Sequence, residues 1–163
     1  MPCVTIRSEA VFSPCRKFRY WLSKEWGTHG DFGVFWAQNP SNADAIKLDD
    51  TTMCCNNFAL AWGWRGFGIV NLFPEISPKS AKISHLANPL NDEWILRARK
   101  IANVFVIATG VGNLRDTRSV IGRLKARGLS TPFYCLGENK TGFYHPRTPE
   151  KYLSRLRPIT LPV

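Results

Sequence analysis

Gly33-Val34-Phe35-Trp36-Ala37-Gln38-Asn39-Pro40-Ser41 is the stretch whose reading decides the fold. A short run with no polar alternation stops abruptly at a turn of amide, proline and hydroxyl residues. Strands buried on both faces of a parallel sheet read this way, because helices cover each side. Three further runs repeat the pattern. Gly68-Ile69-Val70 precedes Asn71-Leu72-Phe73-Pro74. Val104-Phe105-Val106-Ile107-Ala108 precedes Thr109-Gly110-Val111-Gly112-Asn113. Pro132-Phe133-Tyr134-Cys135-Leu136 precedes Gly137-Glu138-Asn139-Lys140.

Helical patterns fill the intervals. Thr52 to Trp62 follows Asp49-Asp50-Thr51, with Asp50 the favoured N-cap. Asn91 to Ala102 has Asp92 and Glu93 in its first turn and Arg97, Arg99 and Lys100 towards its end, as the helix dipole prefers. Leu114 to Arg127 is closed by Gly128, and Pro149 to Leu156 reads as a short last helix. Alternating strands and helices predict an α/β fold: a three-layer α/β/α sandwich around a central, mainly parallel four-stranded sheet. Phe18, Tyr20, Trp21 and Leu22 add an edge strand or hairpin. With no linker, repeat or low-complexity segment, residues 1–163 read as one domain.

Composition narrows the classes. Hydrophobic residues make up 44% of 163, with 10 Phe and 6 Trp, which excludes intrinsic disorder. No apolar run approaches the roughly 20 residues that span a bilayer, and the N-terminus lacks a signal pattern. A cytoplasmic monomer without membrane association is expected. The five cysteines include no C-x-x-C pair, so free thiols are expected and no metal or cofactor. Twenty-two Lys and Arg against 12 Asp and Glu leave a formal charge of +10. That is the electrostatic footprint of a polyanion binder, with DNA the expected partner.

In open α/β sheets ligands bind beyond the carboxyl ends of the strands. Asn39-Pro40-Ser41, Asn71, Thr109-Gly110 and the stretch from Asn139 to His145-Pro146 should therefore converge on one rim. Each segment alone reads as a turn; four in succession point to a site. Asn39 and Asn71 each present a paired donor and acceptor, which suits a nucleobase edge. His145 is the histidine set among this polar cluster, and Asp44, Asp49 and Asp50 are the carboxylates nearest the first strand's end.

The succession Ala37-Gln38-Asn39-Pro40, Ile69-Val70-Asn71, Val104 to Gly110, and Tyr144-His145-Pro146 resembles the uracil-DNA glycosylase superfamily. More closely, Asn39-Pro40-Ser41-Asn42-Ala43-Asp44, Asp50-Thr51-Thr52, Asn71-Leu72-Phe73 and Gly142 to Pro146 resemble an uncharacterised bacterial and phage family, similar to a distant branch of that superfamily, from about Arg19 to His145. The resemblance implies catalytic roles for Asn39, which would position the attacking water, and His145, which would stabilise charge on the departing base. It implies base binding by Asn71, with Gln38 beside it. Phe58, Trp62 and Phe73 are candidates to pack on the base. Ser41, Lys140, Arg147, Lys151 and Arg155 would meet DNA phosphates.

Departures from the pattern are plain. Asn39 stands where the most active members carry Asp, Arg147 replaces the serine of an H-P-S-P loop, and Thr109-Gly110 replaces W-G. Asp44, Asp49 and Asp50 have no counterpart and are candidates for extra acid/base groups. The expected function is flipping and excision of a damaged or modified base by N-glycosidic hydrolysis. The alternatives are a catalytically inactive nucleic-acid-binding module of the same fold, or an enzyme acting on nucleotides or hypermodified bases.

Overall fold

The computed structural model describes residues 3–77, 86–149 and 157–159, the last three by backbone alone. Chain order is β1 (Arg7–Phe12), β2 (Arg19–Glu25), β3 (Phe32–Ala37), α1 (Asp50–Ala61), β4 (Gly66–Asn71), α2 (Pro89–Ile101), β5 (Val104–Ala108), α3 (Leu114–Lys125), β6 (Phe133–Cys135), β7 (Glu138–Asn139), β8 (Gly142–Phe143) and β9 (Arg157–Ile159). Seven of the strands form one sheet in the order β1-β2-β4-β3-β5-β6-β9; β7 and β8 pair separately.

The four predicted strands are the sheet's centre, β4-β3-β5-β6, all mutually parallel. The four-stranded expectation is corrected at both edges. Antiparallel β2 and β1 extend one side as the anticipated hairpin, and antiparallel β9 extends the other. Edge strands show one face to water, so their sequences lack the doubly apolar signature. Within β1 the burial alternates at first between exposed and half-buried. The predicted helix from Pro149 to Leu156 lies, beyond Pro149, outside the described residues.

Alternation along each central strand splits the core in two. Val34, Trp36, Val70, Phe105 and Ile107 face α2 and α3, where they meet Ile95, Ala98, Val120 and Leu124. Phe35, Ile69, Val106 and Ala108 face α1 through Cys55 and Ala59. The result is three layers. Two glycines inside strands make room for tryptophan rings rather than for turns. A Cβ at Gly33 would lie 1.8 Å from Trp64, and one at Gly68 would lie 2.1 Å from Trp21. Each strand is thus shaved at one position so that an indole can lie flat on the sheet.

Helix ends follow local chemistry. The α1 N-cap is Asp49 rather than Asp50; its carboxylate accepts from Thr52 N at 2.7 Å. Asn88 caps α2 through Asn91 N at 3.1 Å, with Pro89 at the first turn. Asn91 in turn donates to the Asn71 carbonyl at 2.9 Å, tying α2 to the end of β4. No helix among the described residues is long and apolar enough to cross a membrane.

Candidate functional site

Parallel β3 and β4 deliver their carboxyl ends side by side, and the ladder continues past them. Leu72 N donates to Ala37 O at 2.8 Å and Phe73 N to Gln38 O at 2.9 Å. Beyond that ladder a cavity of about 460 Å³ opens, lined by Gln38, Asn39, Ser41, Thr51, Ser77, His145, Arg147 and Thr148. Five residues expected at the site, separated by more than a hundred positions in the chain, share this pocket. Four segments build it: the end of β3 with its following loop, the start of α1, the stretch after β4 that carries Ser77, and the loop after β8.

The loop after β3 is pinned from below by buried cations. Arg19, 2% exposed, donates to the Ala43 carbonyl at 2.9 Å. Lys24 Nζ donates to Ala45 O at 3.1 Å and to Ser8 Oγ at 3.0 Å. Ala43 is itself buried at 1%. Asp44 Oδ1 accepts from Ile46 N at 2.8 Å and Lys47 N at 2.7 Å, a local turn that satisfies its carboxylate. Those two backbone N–H groups hold its pKa below the usual value. Asp44 is a turn former and lines no part of the pocket.

Asp49 does double duty. It caps α1 and accepts the Ser41 hydroxyl hydrogen bond. Burial works against its charge, but Ser41, the Thr52 groups and the nearby Arg19 guanidinium hold its pKa below the ordinary carboxylate value. A carboxylate so held is a poor proton acceptor near neutral pH. Asp50 is exposed and pairs with Arg147 at 3.4 Å across the pocket mouth. Arg147, expected as a phosphate ligand, thus already has one carboxylate partner. Burial lowers the Arg19 pKa to about 10, with Asp49 opposing, so Arg19 stays charged near neutrality.

His145 is positioned by its own loop and by the third strand's loop. Gly112 N and Leu114 N donate to the Thr141 carbonyl at 3.0 and 3.1 Å, and Gly110 bridges Phe143. This docks the β7–β8 hairpin two residues before His145. Thr109 and Gly110, expected on the rim, are buried in that joint: Thr109 pairs with Thr117 at 2.7 Å, and its carbonyl accepts from Asn113 at 2.8 Å. At His145, Nδ1 accepts from Arg147 N–H at 3.2 Å. Burial pushes its pKa down to about 4, Arg147 adding to the effect and Asp49 opposing it. The imidazole is neutral at pH 7. With Nδ1 an acceptor, its proton sits on Nε2, which has no protein partner among the described residues.

Asn39 is held by Nδ2, which donates to Ser77 O at 2.8 Å and Pro40 O at 3.2 Å. Its Oδ1 carries no hydrogen bond among the described residues. Asn71 lies at the end of β4, in register with Ala37, and does not line the pocket. It is 1% exposed, and both side-chain polar atoms lack a partner among the described residues. Such a group costs stability unless something satisfies it.

The remaining expected residues lie elsewhere. Phe58 stacks on Trp62 at 5.0 Å within the α1-side core. Phe73, 6% exposed, belongs to the opposite core. Lys140 is exposed in the β7–β8 turn, and Lys151 and Arg155 lie outside the described residues. Sequence reasoning missed Arg19, Thr51, Ser77 and Thr148. An arginine beside Tyr20-Trp21-Leu22 and the Asp50-Thr51-Thr52 motif were the available signals; the loop hydroxyls of Ser77 and Thr148 carry none. Among the described residues no group of three or more His, Cys, Asp or Glu side chains is placed to hold a metal ion.

In a three-layer α/β protein, a polar pocket at the carboxyl edge of the parallel strands lies where open α/β sheets place their ligand sites. Residues 19–147 match the family model described as a protein of unknown function (DUF1643), and the chain belongs to that family. No curated protein and no solved structure matches it.

Proposed function

We propose that the chain is a DNA-directed N-glycosylase of the uracil-DNA glycosylase-like fold, acting on a damaged or modified base. One observation carries the reading. A neutral His145, with its free Nε2–H, shares a single pocket with the amides of Gln38 and Asn39. Hydrolysis breaks the bond between the sugar's anomeric carbon and the base nitrogen. The electron pair leaves with the base while water oxygen bonds to the carbon, and the proton that the water gives up passes through solvent to the departing base. A preoriented neutral donor aimed at a base carbonyl opposes the growing negative charge without requiring a charged group in a desolvated site. Asn39 Oδ1 would orient the water, and the unpartnered amide of Asn71 would take the base edge once the nucleotide is drawn in. The order of the four strand-end segments supports the fold assignment.

Duplexes carrying uracil, hydroxymethyluracil or glucosylated cytosine test the reading, scored for abasic sites by alkaline cleavage. Base release is expected with at least one of them, and His145→Gln should slow it about 10²- to 10³-fold, the usual cost of one lost charge-stabilising donor. Absence of abasic sites across the panel would overturn the assignment.

A second reading rests on Asn39. Its amide is neutral and tied to two carbonyls, so it cannot draw a proton from water as a carboxylate would. On this reading the pocket holds a base without cutting. Salt-sensitive DNA binding that survives Asn39→Ala and His145→Ala, with no turnover, would favour it.

A further inference from the structure

The pocket leaves the basic residues of α3 unused. Thr117, Val120 and Leu124 bury one side of this helix. Arg123 and Arg127 are engaged by Asp92, Arg123 through two bonds of 2.8 and 2.9 Å. Arg115, Arg118 and Lys125 are exposed and form no ion pair among the described residues. At 100° per residue these three and Gly122 fall within an arc of about 80°. They make one ridge opposite the buried side, about 15 Å long from Arg115 to Lys125.

Gly122 sits inside that ridge without a packing reason. A Cβ there would meet nothing within 4 Å, its φ is helical, and only proline is a worse helix former. A bare notch between Arg118 and Lys125 lets a partner's backbone come closer than any side chain would allow. At the helix start, Gly112, Leu114, Arg115, Arg118 and Thr141 line a depression of about 490 Å³. Thr141 belongs to the β7–β8 turn, next to exposed Lys140. The same turn leads through Tyr144 to His145. Unpaired cations thus run from the exposed side of α3 to the loop that carries the pocket histidine.

We propose that the Arg115–Arg118–Lys125 ridge of α3, notched at Gly122 and continued by Lys140, binds the phosphodiester backbone of a DNA strand leading to the pocket. The proposal rests on the DNA reading of the pocket and extends its contacts to a helix outside the pocket. The ridge length matches about four base steps at 3.4 Å per step along one strand. Charge complementarity names the occupant: three cations without carboxylate partners among the described residues, in a chain of net charge +10.

Fluorescence anisotropy with a labelled 20-base-pair duplex, from 50 to 200 mM NaCl, tests it. Each lost phosphate contact removes about 0.9 from the slope of log affinity against log salt. Arg115→Ala/Arg118→Ala should therefore lower the slope by about 2. Over that range the wild type should lose about tenfold more affinity than the double variant. Gly122→Met introduces a good helix former but fills the notch, and should weaken binding at an unchanged melting temperature or a higher one. An unaltered slope in the double variant, or binding to anionic lipid vesicles but not to the duplex, overturns the proposal. Base release on the same duplexes separates the two readings. A ridge-dependent slope without base release upholds the ridge and removes the glycosylase. Base release with a ridge-independent slope does the reverse.

Discussion

Lowering the pH should destabilise the protein through His145 in a defined window. Its imidazole titrates near 6.5 in the unfolded chain and near 4 when folded, because burial and Arg147 disfavour the cation. Between those values the unfolded state binds the proton and the folded state does not, so stability falls as pH falls. The contribution is fully present above about pH 6.5 and lost by about pH 4. A difference of about 2.5 pKa units at 1.36 kcal/mol each gives about 3 kcal/mol. Carboxylates also titrate in this range, so the measurement is a difference. Urea denaturation of wild type and His145→Gln at pH 7, 5.5 and 4.5 isolates the histidine. The stability of the wild type relative to the variant should drop by about 2.5 kcal/mol across the series. A flat difference, or a His145 ring proton that titrates near 6.5 by NMR, would refute the buried, neutral imidazole and the Nε2–H donor with it.

Further outcomes follow from packing and polarity. Gly68→Ala and Gly33→Ala drive a methyl into Trp21 and Trp64, and each should cost about 3 kcal/mol or more in chemical denaturation, at the upper end of overpacking penalties. Asp49→Ala removes the α1 cap and the Ser41 partner, and should cost about 1–2 kcal/mol in the same assay, whereas Asp49→Asn should lose less than half of that. Asn71→Leu replaces two unpartnered polar atoms with an apolar group of similar size. It should leave the melting temperature unchanged or raise it while abolishing nucleobase binding measured calorimetrically, a pairing that a purely structural asparagine would not produce.

Much of the scaffold was legible because its signals are local. Val104 to Ala108 is apolar on both faces and is a strand over just those residues. Asn91 to Ala102, with its ordered charges, contains most of the observed α2. The edge strands were harder: β1 alternates weakly, and β9 is three residues long and defined by its pairing with β6. At the site, Gln38, Asn39, Ser41, His145 and Arg147 line one pocket, on the rim to which parallel strands deliver their carboxyl ends. Phe58 and Phe73 went to the two cores, since aromatic residues near a strand end carry no mark that separates core from pocket.

The sequence alone determined the alternation of strands and helices and the rim on which polar loops gather. These depend on residues a few positions apart, where periodicity and turn chemistry act. Tertiary structure decided the states of the groups on that rim. It buried Arg19 under the loop after β3, made Asp49 rather than Asp50 the cap and Ser41's partner, left the Asn71 side chain without a hydrogen-bond partner among the described residues, and set His145 neutral with its proton on Nε2. Burial and electrostatics are sums over neighbours distant in the chain, so they come into being only when the layers close.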